Sequence, residues 1–150
     1  MEHELTWLRS HVIRCLEDAF SKPPELDGDG DPAFRQGTAA VFVTCHGAGF
    51  PAVRVWAVAV TGVRSSAKLL REINDVNART QTAHVYYDNS LVYVEQALHA
   101  YGVDEETIGQ AVVAVSAVAN DIGSLTAMTF GGDTPYPADI EDVDAHDEAA

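Results

Sequence analysis

The chain has 150 residues and a formal net charge of −14, from 9 Lys and Arg against 23 Asp and Glu. All the basic residues lie in residues 1–79, whereas residues 80–150 contain thirteen acids and neither Lys nor Arg. Such a chain lacks the clustered cations that bind nucleic-acid phosphates or an anionic membrane surface, so we expect neither partner. The length suits one compact domain.

The first half of the chain predicts one helix followed by strands. Apolar residues at helical spacing predict a helix over residues 5–20, which Pro23-Pro24 ends because proline cannot continue the hydrogen-bond ladder. A short strand is expected near Ala33, and residues 38–46 are rich in β-formers. Residues 53–61 alternate and become apolar on both faces, which predicts a central strand covered on both sides.

The second half predicts a helix, a hairpin and a long last helix. Ser65 or Ser66 is suited to cap the first of these helices. Two β-rich runs, residues 82–87 and 91–98, flank Asp88-Asn89-Ser90 and predict a hairpin, because Asp and Asn tolerate a positive φ.

The last helix and the tail complete the predicted architecture. Asp104 is the expected N-cap of the last helix, and Gly131-Gly132 is expected to end it. The order α-β-β-(β)-α-β-β-α predicts an α+β domain, an antiparallel sheet with flanking helices. We assign residues 1–132 to this domain and residues 133–150, with seven acids and two prolines, to a disordered acidic tail.

The last predicted helix is unusually poor in charge. After its first turn its only charged residue is Asp121, and the Asn120-Asp121 pair near its centre argues against a transmembrane span. Its small residues either let it lie flat on the sheet or another helix, or form a face that docks a partner or a second subunit. The candidate partner or dimer contacts are Val113 and Ala117 on this helix and Trp56 on the predicted central strand.

The chain shows no complete motif for catalysis, metal binding or cofactor binding. Asp27-Gly-Asp-Gly-Asp31 has the spacing of a calcium loop, but Pro32 and Thr38 occupy the positions where Gly and Glu belong. A solvated turn before a strand is therefore the favoured interpretation. The histidines lack metal-ligand spacing, and Cys45-His46 are strand neighbours that point to opposite faces. We expect no catalytic residue, no metal and no cofactor.

The N-terminus and the cysteines bear on the compartment. The first ten residues are charged and contain no continuous apolar run, so no secretory signal is expected. Cys15 and Cys45 are expected to be buried, reduced thiols, although a disulfide stays open. We expect a cytoplasmic protein.

Several segments resemble bacterial YbjN-type domains, relatives of type III secretion chaperones. The run from Asp27 to Val43, DGDGDPAFRQGTAAVFV, resembles their entry strands. The helix from Leu69 to Asn77 is similar in its two leucines followed by two spaced asparagines, and so are the 85–98 hairpin and a last helix closing on Phe130-Gly-Gly132. The resemblance covers about residues 5–132.

The resemblance implies a fold and a role. The fold is an α-β-β-β-α-β-β-α sandwich, often a homodimer, and secretion chaperones of this kind hold a partly unfolded effector segment along their surface. There is no catalytic set to carry over.

We therefore expect a non-enzymatic, chaperone-like protein-binding module, a homodimer that binds a protein or peptide partner. Apolar strand faces, small helix faces or an exposed strand edge would supply the binding surface. The alternative is a ligand-binding signalling regulator or an enzyme whose site forms only in the fold. In that case Tyr86, Tyr87 and Tyr93, with His84 or His99, would line a pocket.

Overall fold

Three helices pack on one five-stranded antiparallel sheet in a computed structural model, which describes residues 2–47 and 49–138. The elements are α1 (Glu2–Phe20), β1 (Ala33–Gln36), β2 (Ala39–His46), β3 (Ala52–Val60), α2 (Ala67–Arg79), β4 (His84–Asp88), β5 (Leu91–His99) and α3 (Glu105–Phe130). A short 3-10 turn, Ala100–Gly102, precedes α3. The strand order is β1-β2-β3-β5-β4, and the predicted α+β class and element order are confirmed.

Local side-chain and backbone chemistry sets the helix ends. The Ser66 hydroxyl accepts a hydrogen bond from the Leu69 N–H (3.1 Å), which identifies the cap of α2. At the start of α3, Asp104 accepts from the Thr107 N–H (2.8 Å) while the Thr107 hydroxyl accepts from the Asp104 N–H (3.0 Å). The backbone N–H of Thr107 lowers the pKa of Asp104. Gly131 ends α3 in the left-handed region, at φ 74°.

The predicted hairpin forms, with its turn shifted by one residue. The positive φ angles belong to Asn89 (48°) and Ser90 (69°), whereas Asp88 remains in the ladder opposite Leu91. Two consecutive left-handed residues match the right-handed twist of the flanking strands. The expectation that Asp88 and Asn89 supply the turn is therefore wrong at Asp88.

The core lies between one face of the sheet and the three helices. Its strand side chains alternate with partly exposed neighbours, as half-buried strands require. They are joined by apolar residues of α1, α2 and α3, among them Leu8, Leu16, Leu69, Ile108 and Val115. The fully buried strand residues are Ala39, Val41, Val43, Val53, Val55, Ala57, Ala59, Val60, Val92 and Val94.

The opposite face of the sheet, called here the open face, has no helix over it in the part of the chain that is described. In β3, Val53 and Val55 are buried on the helix side, whereas Arg54, Trp56 and Val58 are only partly buried. The prediction that this strand is covered on both sides is therefore wrong. All three helices belong to one core cluster on one face, and the apolar residues of the other face are sheltered only by neighbouring strand side chains.

The small residues of helix α3 lie partly against the fold and partly on its outer side. An added Cβ at Gly123 would lie 3.2 Å from the Ala59 carbonyl, and Ser116 is buried, so this part packs closely. Val113 and Ala117 are exposed on its outer side. By length and composition α3 is the one helix in the described residues that could cross a membrane, but one side of it packs along the sheet.

Both cysteines are free thiols. Cys15 is buried, and Cys45 is partly buried rather than fully buried as the sequence suggested. Burial raises the pKa of Cys45 to about 11, so this thiol stays protonated and unreactive at neutral pH.

The beginning of the predicted tail runs back along the domain. Asp133 exchanges two backbone hydrogen bonds with Thr61 (2.8 and 2.9 Å), and the Tyr136 N–H donates to the Thr38 carbonyl (3.1 Å). The segment after residue 132, where we expected the domain to end, therefore makes backbone contacts with the fold at Asp133 and Tyr136. The remainder of the predicted disordered tail, residues 139–150, lies outside the described residues.

Gly132→Ala is expected to lower the free energy of unfolding by about 1–3 kcal/mol. The added Cβ would lie 2.5 Å from the Thr61 carbonyl oxygen and 2.6 Å from Val63 Cγ1. Gly102→Ala is the matched control, because no atom lies within 4 Å of its added Cβ. Urea unfolding followed by circular dichroism measures both, and equal midpoints would show that the Gly132 junction tolerates a side chain.

Candidate functional site

The open face carries aromatic side chains from four neighbouring strands. The register places Phe42 of β2 opposite Trp56 of β3, and Tyr93 of β5 opposite Tyr86 of β4. His84 begins β4 and projects on the same face as Tyr86. These five rings form a line across the sheet, called here the aromatic row.

The rings of the aromatic row contact one another in sequence. The centroids are 4.6 Å apart from Phe42 to Trp56, 6.0 Å from Trp56 to Tyr93, 5.1 Å from Tyr93 to Tyr86, and 5.7 Å from Tyr86 to His84. All four distances fall in the range of attractive aromatic pairs, each contributing about 0.5–1.5 kcal/mol beyond burial. The rings therefore support one another and form a continuous aromatic surface across four strands.

An ion pair lies beside the aromatic row. The Arg54 guanidinium donates from Nε to Glu95 Oε1 and from an Nη to the Tyr86 hydroxyl (3.3 Å), and His84 Nε2 lies 3.6 Å from Glu95 Oε2. The hydrogen bond to Glu95 raises the pKa of Arg54, and burial together with the Glu95 charge raises the pKa of Tyr86. Glu95 is only 8% exposed, so its charge needs this partner.

A second polar group fixes the orientation of Trp56. The indole Nε1 donates to the Thr44 hydroxyl (3.2 Å), whose oxygen lies 2.9 Å from His46 Nε2. Burial lowers the pKa of His46, and the nearby Arg54 charge acts in the same direction. The imidazole is therefore neutral at pH 7, and the polar atoms around Trp56 are satisfied within the protein.

Both edges of the sheet are partly occupied. The Asn77 side chain of α2 accepts from the Val85 N–H (2.7 Å) and donates to the Val85 carbonyl (2.9 Å), so it imitates a neighbouring strand beside β4. On the other edge, the Ala33 N–H of β1 donates to the Glu25 carbonyl (3.0 Å). These contacts cover backbone groups that an added strand would need.

A cleft of about 400 Å³, called here the β1 cleft, lies beside the edge strand β1 on the helix side of the sheet. Its lining combines apolar side chains with charged groups. The lining residues are Leu16, Phe20, Lys22, Pro23, Pro24, Glu25, Ala33, Phe34, Arg35, Gln36 and Val112. A cleft of this volume can hold one large side chain or a small molecule.

The structure separates the three predicted contact residues. Trp56 lies between Phe42 and Tyr93 in the aromatic row on the open face. Val113 is 60% exposed and Ala117 is exposed on α3, on the opposite side of the sheet. They therefore belong to two surfaces, and their role as contacts stays a prediction.

The residues of the alternative pocket are also divided. Tyr86, Tyr93 and His84 belong to the aromatic row, whereas Tyr87 turns to the helix side and its hydroxyl donates to the Val63 carbonyl 3.0 Å away. His99 stacks on an exposed ring beyond the row. These five residues do not converge on one pocket.

The acidic loop before β1 uses its carboxylates internally. Asp27 Oδ1 accepts from the backbone N–H groups of Asp29 (2.9 Å) and Asp31 (3.0 Å), and Asp31 pairs with Arg9 at 3.3 Å. Among the described residues, no three His, Cys, Asp or Glu side chains converge in a way that holds a metal ion. The loop forms a turn that leads into the strand.

Sequence reasoning found Trp56 but missed the rest of the aromatic row as a unit. The available signal was alternation: Phe42 and Thr44 share one face of β2, and Tyr93 and Glu95 share one face of β5. Assembling the row also required the pairing of β5 with both β3 and β4.

Comparisons with known proteins give a family and a fold. The family TY-Chap1, described as T3SS (YopN, CesT) and YbjN peptide-binding chaperone 1, matches residues 6–138. No curated protein matches the chain. Among solved structures, a chain of the crystal structure of the ExsC–ExsE complex is similar with a TM-score of 0.56 at 16% identity. The match covers 79% of this chain and 95% of that one, and it supports the same fold.

Asn77→Ala is expected to destabilise the fold by about 1–2 kcal/mol, because the Val85 N–H and carbonyl lose their partners. It is also expected to increase self-association through the uncovered edge of β4. Asn74→Ala on the same helix is the matched control, since the structure describes no hydrogen bond from that exposed side chain. Urea unfolding and sedimentation velocity test both effects, and equal behaviour of the two variants would contradict the edge role of Asn77.

Proposed function

This chain belongs to the family of T3SS (YopN, CesT) and YbjN peptide-binding chaperones, and we propose that it binds an extended segment of a partner protein across its open face. The observation that carries the proposal is the continuous aromatic row on a face that no described helix covers. The partner is a protein or peptide, and the binding takes place in the cytoplasm.

The chemistry of the aromatic row suits a partner held without a fixed sequence. Aromatic side chains provide a large contact area with few rotatable bonds, so little conformational entropy is lost on binding. A few such rings commonly supply most of the binding free energy of an interface. A flat, pre-ordered row therefore favours apolar side chains at alternate positions of an extended segment.

The edges and the β1 cleft support a path across the face rather than along an edge. Asn77 covers Val85 on one edge, and Glu25 covers Ala33 on the other. A segment that crosses the row past Phe42 reaches the edge strand β1 and can pass around it to the helix side, where the β1 cleft receives an apolar side chain. Covering these edge groups disfavours edge-to-edge strand pairing between molecules while leaving the open face accessible.

The proposed role is non-enzymatic. The polar side chains of the open face are engaged with one another: Arg54 with Glu95, and Thr44 with Trp56 and His46. The Thr44 hydroxyl lies within hydrogen-bond distance of His46, but among the described residues no carboxylate is hydrogen-bonded to His46 to orient it as a base, so the pair lacks the third member of a catalytic set. The complex named in the similar solved structure also supports binding rather than chemistry.

Trp56→Ala is expected to weaken partner binding about tenfold, because it removes the ring that connects Phe42 to the tyrosines of the aromatic row. The probe is fluorescently labelled, reduced and carboxymethylated α-lactalbumin, which stays unfolded, and the readout is anisotropy. Trp7→Ala is the matched control, since Trp7 is a 53% exposed tryptophan on α1, away from the open face. Trp56→Phe keeps a ring and is expected to retain most of the affinity.

Unchanged binding by a folded Trp56→Ala variant would refute the open-face proposal. Equal losses for Trp7→Ala and Trp56→Ala would also refute it, because a general loss of apolar surface would then explain the effect. Circular dichroism establishes that each variant is folded.

The proposal includes a homodimer, supported by the outer side of α3 near its C-terminus. Leu125 is 66% exposed and Met128 is 79% exposed there, with Leu70 of α2 also exposed. Apolar side chains of this size favour association.

Sedimentation equilibrium is expected to show a dimer, and Met128→Glu is expected to weaken dimerisation more than about tenfold, because it would bury an unpaired charge. Tyr101→Glu, at a 75% exposed side chain outside α3, is the control. A monomer in sedimentation of the chain without substitutions would contradict the dimer. It would not affect the open-face proposal, which the Trp56→Ala experiment tests separately.

A further inference from the structure

A second surface lies between α1 and α3, on the other side of the molecule from the open face. This α1–α3 groove is shallow and wide open to solvent, with a volume of about 750 Å³. Its apolar floor comes from the C-terminal end of α1 and the N-terminal part of α3. The floor residues are Ala19, Phe20, Gly109, Val113 and Ala114. An added Cβ at Gly109 would lie 3.3 Å from the Ala19 methyl, so the two helices approach closely beneath the groove.

Every charged residue that lines the α1–α3 groove is acidic. Asp18 comes from α1, and Glu105 and Glu106 come from the first turn of α3. None of these three carboxylates forms an ion pair with another described residue. Two of them act on the same neighbouring group, the Cys15 thiol. Burial is the largest cause that raises the pKa of Cys15, the negative charge of Asp18 is the second, and the charge of Glu105 also raises it.

We propose that the α1–α3 groove binds an amphipathic helix of a partner protein, with apolar side chains on the floor and Lys or Arg over the acidic rim. Charge complementarity favours a basic partner face, because all the charged groups of the lining are carboxylates. The net charge of −14 adds long-range attraction for a cationic segment. The inference goes beyond the open-face proposal, and either can fail alone.

The helical walls of the α1–α3 groove favour a helical partner over an extended one. Apart from the free groups at the last turn of α1 and the first turn of α3, its walls are helix backbone that is already hydrogen-bonded, so an extended segment would find few backbone partners along the floor. A helix satisfies its own backbone and presents apolar residues at i, i+3, i+4 and i+7. The α3 lining from Glu105 to Ala114 spans about 14 Å, which corresponds to between two and three helical turns.

The test uses a synthetic 14-residue peptide with Leu at i, i+3, i+4 and i+7 and Lys at its other positions, labelled with fluorescein. We expect it to bind the full chain, and the triple variant Asp18→Asn/Glu105→Gln/Glu106→Gln to weaken binding roughly tenfold at low salt. Binding by the triple variant should also depend less on salt. Val113→Asn is expected to weaken binding several-fold through the apolar floor.

The matched control removes three acids from elsewhere. Glu72→Gln/Asp75→Asn/Asp121→Asn removes the same net charge from the cleft between α2 and α3 and should weaken binding by less than about twofold, through the long-range attraction alone. An equal loss in this control would assign the effect to net charge and overturn the inference. Thermal melts exclude unfolding as the cause.

Three further outcomes complete the test. Equal binding of a probe with Glu in place of Lys would overturn the proposed basic face. A loss of self-association in the acid triple variant, with peptide binding unchanged, would make the α1–α3 groove an interface between copies of this chain. If Trp56→Ala no longer binds the basic peptide, the peptide binds on the open face and the groove proposal is overturned. If Trp56→Ala still binds the peptide, the result supports the α1–α3 groove, independently of the outcome for the open-face proposal.

Discussion

The packing of all three helices on one face of the sheet is the constraint on which the rest of the molecule depends. Since α1 and α3 contact each other and α2 shares their core cluster, one sheet face receives all the helical cover. The other face must then remain stable in water with Trp56 and Phe42 on it. Ring stacking, the Arg54–Glu95 pair and the Trp56–Thr44 hydrogen bond provide that stability without a covering layer.

The sequence predicted the elements well because their signals are local. Helical spacing, the Asp104 cap and strand alternation each depend on residues a few positions apart. The prediction for β3 was wrong because Trp56 and Val58 are apolar, and apolar residues on a strand face are expected under a covering helix. The same residues also occur on a face where only neighbouring strand side chains shelter them, and the sequence does not distinguish the two cases. Nothing local states which element covers a strand face, and the position of β5 between β3 and β4 depends on pairings between distant segments.

Helix α3 shows how one compositional signal can have two physical causes. Gly123 is small because the Ala59 carbonyl lies against it, and Gly109 is small because α1 approaches there. Val113, in the same uncharged run, is instead exposed beside the acidic rim. Low charge along α3 therefore accompanies both close packing and accessible apolar surface, and only the three-dimensional arrangement separates them.

The two candidate surfaces are connected around the β1 side of the molecule. Phe20 lines both the β1 cleft and the α1–α3 groove, and its ring lies 6.3 Å from that of Phe34 on β1. Phe42, at the near end of the aromatic row, belongs to β2, the neighbour of β1. A partner that contacts both surfaces therefore has an apolar path past β1. Because the Glu25 carbonyl already pairs with the Ala33 N–H on that edge, side chains rather than added strand pairing would hold such a partner along the path.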